Sequence, residues 1–123
     1  MRSFGSDNNS GVHPGIMQAL FEANIDHSIA YGDDKWTDEA KEAVREVLGK
    51  SDVEPLFMFN GTGANVVGLQ ACVQSFHSII CASTAHIAVD ECGGPVKMTG
   101  AVLKEISTAD GKLTPELVKP HLH

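Results

Sequence analysis

A chain of 123 residues, 42% hydrophobic and 20% charged, has room for one domain and has the composition of an ordinary globular protein. Its net charge of −7, with nine Lys and Arg scattered along it, offers no basic face to a nucleic-acid backbone. No apolar run approaches the roughly 18 residues of a membrane span. The opening Met1-Arg2-Ser3-Phe4-Gly5-Ser6-Asp7 leads straight into polar residues, so a cytoplasmic protein with no membrane partner is expected.

The first expected helix runs from Pro14 to Asn24, with Pro at its first position and Ile16, Leu20 and Ala23 on one face. A polar connection, Asp26 to Trp36, carries Tyr31-Gly32-Asp33-Asp34. The next helix is expected to take Thr37 as N-cap and to end at Gly49. Its Ala40, Ala43, Val44, Val47 and Leu48 form an apolar stripe that should face a core. Leu56-Phe57-Met58-Phe59, set between Pro55 and Asn60-Gly61, reads as a strand covered on both faces.

After the glycines, Val66, Leu69, Val73 and Phe76 return to helical spacing. Ser78 to Ala82 reads as a second buried strand, and His86 to Cys92 as a short helix ending at Gly93-Gly94-Pro95. Val102 to Ile106 reads as a third strand and Asp110-Gly111 as a turn; Thr114-Pro115-Glu116 then opens a helix with a capping Thr. Strand and helix alternating in this order predict the α/β class with a mainly parallel sheet. Three short strands would leave that sheet poorly covered, so the chain reads as the opening part of a larger domain.

Cys72, Cys81 and Cys92 form no Cys-x-x-Cys pair, and an odd count argues against a disulfide framework. Cys72 and Cys81 read as small core residues. His121 and His123 are a possible metal pair, but two ligands two residues apart do not close a site, and no metal is expected.

Chemistry is concentrated in Asn60-Gly61-Thr62-Gly63-Ala64-Asn65, between an expected strand and an expected helix. A helix N-terminus carries unsatisfied N–H groups and the positive end of the dipole, so it attracts an anion. Gly61 and Gly63 let the backbone approach closely and Thr62 adds a hydroxyl, which favours a phosphate group. A dinucleotide fingerprint would need glycine where the chain has Val66, and there is no GxxxxGK[ST] signature. Glycine turns also join strands to helices with no ligand, so structural and functional readings both stand here. The second feature is His86, just past the end of an expected strand, where open α/β sheets collect ligands. A flat imidazole there could stack on an aromatic cofactor or move a proton, or it could be a partly buried ring satisfied by hydrogen bonds.

Four segments in order resemble the low-specificity threonine aldolases and related β-eliminating lyases. They are Ser6-Asp7-Asn8; Tyr31-Gly32-Asp33-Asp34; Gly61-Thr62-Gly63-Ala64-Asn65; and Ala85-His86-Ile87, followed by Glu91 and Gly93-Gly94. The resemblance spans almost the whole chain but only the opening stretch of the family's usual length. It implies a fold-type-I enzyme dependent on pyridoxal 5′-phosphate, built as a homo-dimer or homo-tetramer with active sites at subunit interfaces. Residues 1–36 would form an N-terminal helix and active-site arm, and residues 37–123 an incomplete cofactor-binding α/β domain. By position, Gly61, Thr62 and Gly63 would bind the cofactor phosphate, and His86 would stack on the ring and assist proton transfer. Ser6 would hold the carboxylate of a small amino-acid substrate, and Tyr31 would line the site. The implied reaction cleaves a β-hydroxy-α-amino acid such as threonine to glycine and an aldehyde.

Asn8-Asn9 departs from the residues usual after the opening Ser-Asp, which implies a different substrate preference. The family attaches its cofactor through a lysine far downstream in a Gly/Ser/Thr-rich stretch. None of Lys35, Lys41, Lys50, Lys97, Lys104, Lys112 or Lys119 has that context, and each is expected to be a solvated surface lysine. This chain by itself is therefore expected to be inactive. The alternatives are a non-catalytic α/β module that binds a phosphorylated metabolite, and a fragment held by a partner chain.

Overall fold

A computed structural model describes residues 4–122 and divides the chain into two compact units, Met1–Pro55 and Leu56–His123. Residues 1–3 of the opening segment, and His123 of the histidine pair, lie outside the described residues.

The first unit is helical. After a 3-10 turn at Asp7–Asn9 comes α1, Pro14–Ala23, entered through His13, whose Nδ1 accepts from the Gly15 N–H at 3.1 Å. The second helix, α2, spans Lys35–Leu48 and is capped by Asp34, three residues before the expected cap Thr37. Asp34 Oδ1 accepts from the Thr37 N–H at 2.9 Å and Oδ2 from the Thr37 hydroxyl at 2.7 Å. An ionised carboxylate satisfies both donors and faces the positive end of the helix dipole, which a Thr hydroxyl cannot match. At the other end Gly49 takes the left-handed conformation expected of a C-cap (φ 63°).

The stripe of α2 does not face a core among the described residues: Ala43 and Leu48 are exposed and Val47 is 87% exposed. Instead the polar side of the helix is stapled to the segment that follows. Arg45 Nε donates to the Val53 carbonyl at 2.7 Å, and Glu54 receives both Lys41 and Arg45. Lys41 is thereby half-buried rather than solvated. Periodicity shows that a helix has an apolar face; it does not supply the surface that covers it.

The second unit holds α3, Gly61–Cys72; β1, Ser78–Ala82; α4, His86–Val89; α5, Gly94–Thr99; β2, Val102–Ile106; and α6, Pro115–Val118. Both strands fall where expected and pair in parallel, from Ser78↔Val102 to Ala82↔Ile106. Ile79, Cys81, Ala82, Ala101, Ile106 and Pro95 are buried around them. Burial pushes the Cys81 thiol up, with Glu105 adding to the effect. Cys72 is exposed, contrary to the core role expected of it, because α3 packs through other positions.

Leu56–Phe59 is not a strand. The run is irregular, has no ladder partner among the described residues, and leaves Phe59 102% exposed and Leu56 70% exposed. A strand exists only where a neighbour takes its N–H and C=O groups, and composition cannot provide the neighbour. The helix after the glycines is also shorter than its spacing suggests: it ends at Cys72, and Phe76 stands 82% exposed in the turn before β1.

Where one short helix was expected there are two. The first ends at Val89, and α5 then starts behind Gly93 (φ 71°), with Pro95 in its first turn. It packs against α3: a Cβ on Gly94 would stand 3.8 Å from Val66 Cγ2 and 3.9 Å from Thr62 Cγ2. Its far end is closed by Thr99, which donates to the Pro95 carbonyl at 2.6 Å and accepts from the Ala101 N–H at 3.1 Å. The Asp110-Gly111 turn and the Thr114 cap of α6 form as expected. Lys104 is half-buried and donates to the His121 carbonyl; Lys35, Lys50, Lys97, Lys112 and Lys119 are exposed.

Candidate functional site

The second unit brings together α3 and the β1–α4 connection. Asn60 is extended (φ −153°, ψ 175°) and caps α3: its Oδ1 accepts from the Gly63 N–H at 2.8 Å and its carbonyl from the Ala64 N–H at 3.1 Å. One donor of the expected cradle is therefore taken by the chain itself. The N–H groups of Gly61 and Thr62 have no partner among the described residues, and no acidic side chain lies in the first turn of α3. That terminus keeps its positive dipole end uncompensated, which suits an anion. A Cβ on Gly61 would meet nothing within 4 Å, so open space lies in front of it; one on Gly63 would meet Asn60 Oδ1 at 3.4 Å.

His86 begins α4, immediately beyond the Ser83–Ala85 connection that leaves β1. Its side chain is 61% exposed, but Nδ1 lies 2.7 Å from Oε1 of Glu91, whose side chain is wholly buried. The same Oε1 accepts from Asn65 Nδ2 at 2.6 Å, and Oε2 is buried with no partner among the described residues. The His86 ring beside it holds the Glu91 carboxyl below its ordinary value of 4.5; burial works against this, and Asn65 reinforces it. An ionised carboxylate only accepts, so this contact is a hydrogen bond only where Nδ1 of His86 is the protonated nitrogen. Asn65 stands one turn along α3 from Gly61, so this carboxylate links the exposed ring to the helix that offers the unpaired donors.

Glu91 had no expected role, although it is part of the fourth family-like segment. The one available signal was an acid five residues after a histidine at a strand end. Asn65, in the family pattern with its contact unassigned, turns its side chain to Glu91.

Ser6 and Tyr31 belong to the first unit. Ser6 Oγ accepts from the Asn8 N–H at 3.2 Å. Tyr31 is fully exposed and left-handed (φ 66°) beside Gly32 (φ 86°). A left-handed tyrosine costs about 1–2 kcal/mol, and such strain is often found at functional positions. Among the described residues no three His, Cys, Asp or Glu side chains converge as metal ligands would, and no helix is long and apolar enough to cross a membrane.

The chain is 45% identical, over 96% of its length, to a low-specificity L-threonine aldolase of Pseudomonas aeruginosa. It is 43% identical over the same share to another from a Pseudomonas species. It spans 34% of the length of each of these relatives. Among solved structures, the threonine aldolase of Leishmania major superposes with a TM-score of 0.87 at 25% identity, over 94% of this chain and 33% of that one. The likeness places the parallel strands and helices in a fold-type-I α/β architecture. The family model for beta-eliminating lyases matches residues 3–123, and the chain belongs to that family.

Proposed function

We propose that this chain provides the cofactor-phosphate cradle and the ring-facing histidine of a lyase dependent on pyridoxal 5′-phosphate. The substrate would be a β-hydroxy-α-amino acid such as threonine, and the products glycine and an aldehyde. The observation that carries this reading is the buried Glu91 carboxylate, which ties the exposed His86 ring to α3, the helix with unpaired N–H groups at its start. The names of the relatives support the substrate class.

Pyridoxal 5′-phosphate, when bound, supplies an electron sink for the negative charge that develops on the amino acid. The residues of this chain bind and orient. The Gly61 and Thr62 N–H groups and the Thr62 hydroxyl hold the phosphate, and Gly63 completes the turn. His86 stacks on the ring and accepts a proton at its outward nitrogen. Ser6 takes the substrate carboxylate, and Tyr31 lines the site, from a neighbouring subunit in a homo-dimer or homo-tetramer. Residues 1–36 act as the active-site arm and residues 37–123 as the opening part of the cofactor domain, a functional division distinct from the compact units. No lysine of this chain is assigned to anchor the cofactor. The protein works in the cytoplasm.

The test takes the full-length protein. It is incubated with pyridoxal 5′-phosphate, reduced with borohydride and weighed intact, and a parallel sample is assayed for glycine released from threonine. A retained pyridoxyl mass together with glycine release is the expected result. If no mass is retained and no glycine appears, the lyase reading fails, and phosphate-dependent binding alone would favour the non-catalytic module.

A further inference from the structure

The His86 ring is mostly exposed, yet one of its nitrogens is fixed by a group from inside the unit. Glu91 Oε1 lies 2.7 Å from Nδ1, and the Glu91 side chain has no solvent exposure. A buried carboxylate needs donors, and it has two on the same oxygen: the ring and Asn65 Nδ2 at 2.6 Å. Asn65 lies on α3 and Glu91 between α4 and α5, so the contact joins parts of the chain 26 residues apart. Unlike a surface pair, this one leaves the ring little freedom to exchange its two nitrogens. Turning the ring over would place a carbon against a buried charge.

We infer that Glu91 and Asn65 are positioning residues that fix the tautomer of His86, holding the proton on Nδ1 so that Nε2 faces outward as a hydrogen-bond acceptor. Asn65 acts at one remove: it orients the Glu91 carboxylate and fills its second donor place on Oε1. Their joint effect is a ring that presents one defined nitrogen before any ligand arrives. That removes both the rotational freedom and the tautomer mixture of a free imidazole. The inference deepens the lyase reading, since it rests on His86 as the residue that meets the cofactor. It concerns only the side chains of this unit.

The test is made on full-length protein without cofactor, labelled with 15N in its histidine rings. Long-range 1H–15N correlation is recorded at a pH where the ring is neutral, and the His86 signals are identified by their loss in His86→Gln. The expected spectrum has a protonated Nδ1 and an unprotonated, acceptor-type Nε2. Glu91→Gln keeps an oxygen acceptor at Oε1 and should preserve that pattern. Glu91→Leu removes the acceptor and should release the ring to the ordinary mixture dominated by the Nε2–H form. A wild-type spectrum with the proton on Nε2 overturns the inference, as does a pattern unchanged in Glu91→Leu. If Glu91→Leu fails to fold, the wild-type spectrum still decides. Because cofactor is absent throughout, failure to bind pyridoxal 5′-phosphate would sink the lyase reading without touching this result.

Discussion

Asn60 holds the N–H of Gly63 through its side-chain oxygen at 2.8 Å, so the first turn of α3 is closed by the chain before any anion reaches it. The N–H groups of Gly61 and Thr62 have no partner among the described residues, and in the proposed cradle they are the donors free to meet the phosphate. Replacing Asn60 by Ala removes the cap and should lower stability by about 1 kcal/mol, read as a shift of the urea midpoint at constant slope. Pyridoxal 5′-phosphate should bind this variant no more weakly than the loss of helix order demands.

Gly61 separates a ligand role from a structural one. A side chain there meets nothing within 4 Å, so Gly61→Ala should leave stability within about 0.5 kcal/mol of the parent. In the proposed site the same methyl stands where the phosphate approaches, and cofactor affinity should fall about tenfold or more. Absorbance titration beside thermal denaturation checks both, and unchanged affinity would remove Gly61 from the cradle.

Acid should loosen α2 through its cap. The Thr37 hydroxyl, and then the Thr37 N–H, hold the Asp34 carboxyl below its ordinary value of 3.8. A carboxyl with a depressed folded value contributes its full stabilisation above the unfolded value and loses it as pH falls through the folded one. Parent protein should therefore exceed Asp34→Asn in stability at pH well above 3.8 and converge with it as pH falls well below that value. A gap between the two that stays constant across this range would exclude a charge-dependent cap.

Gly100 ends α5 at φ 71°, and a Cβ there would lie 3.0 Å from Ser75 Cβ. Gly100→Ala should cost about 1–2 kcal/mol from the left-handed backbone alone, with the Ser75 contact adding to it. Denaturant unfolding of the variant measures the sum, and a neutral result would mean that the turn relaxes out of the left-handed region.

Much of this was legible in the residues. Ser78–Ala82 and Val102–Ile106 read as strands and pair as such in parallel, because short β-prone runs with turn signals on both sides identify strands locally. Thr114 and Gly49 announced the ends of their helices by side-chain chemistry alone. Leu56–Phe59 carried the same kind of signal and failed, since its pattern says that the run can be covered but not that a partner strand lies beside it. The α2 stripe failed for the same reason, and Asp34 displaced Thr37 because two capping residues three apart compete and the charged one satisfies more donors.

What the sequence by itself determined is the α/β class, the family, the glycine-rich start of α3 and the placing of His86 after a strand. Each follows from residues near one another in the chain. Only the tertiary structure decided that Glu91 is buried against His86 and that Asn65 turns to Glu91 across 26 residues of chain. Burial and long-range hydrogen bonds depend on which elements pack together, and no local pattern of side chains encodes which of several acids will be taken out of water.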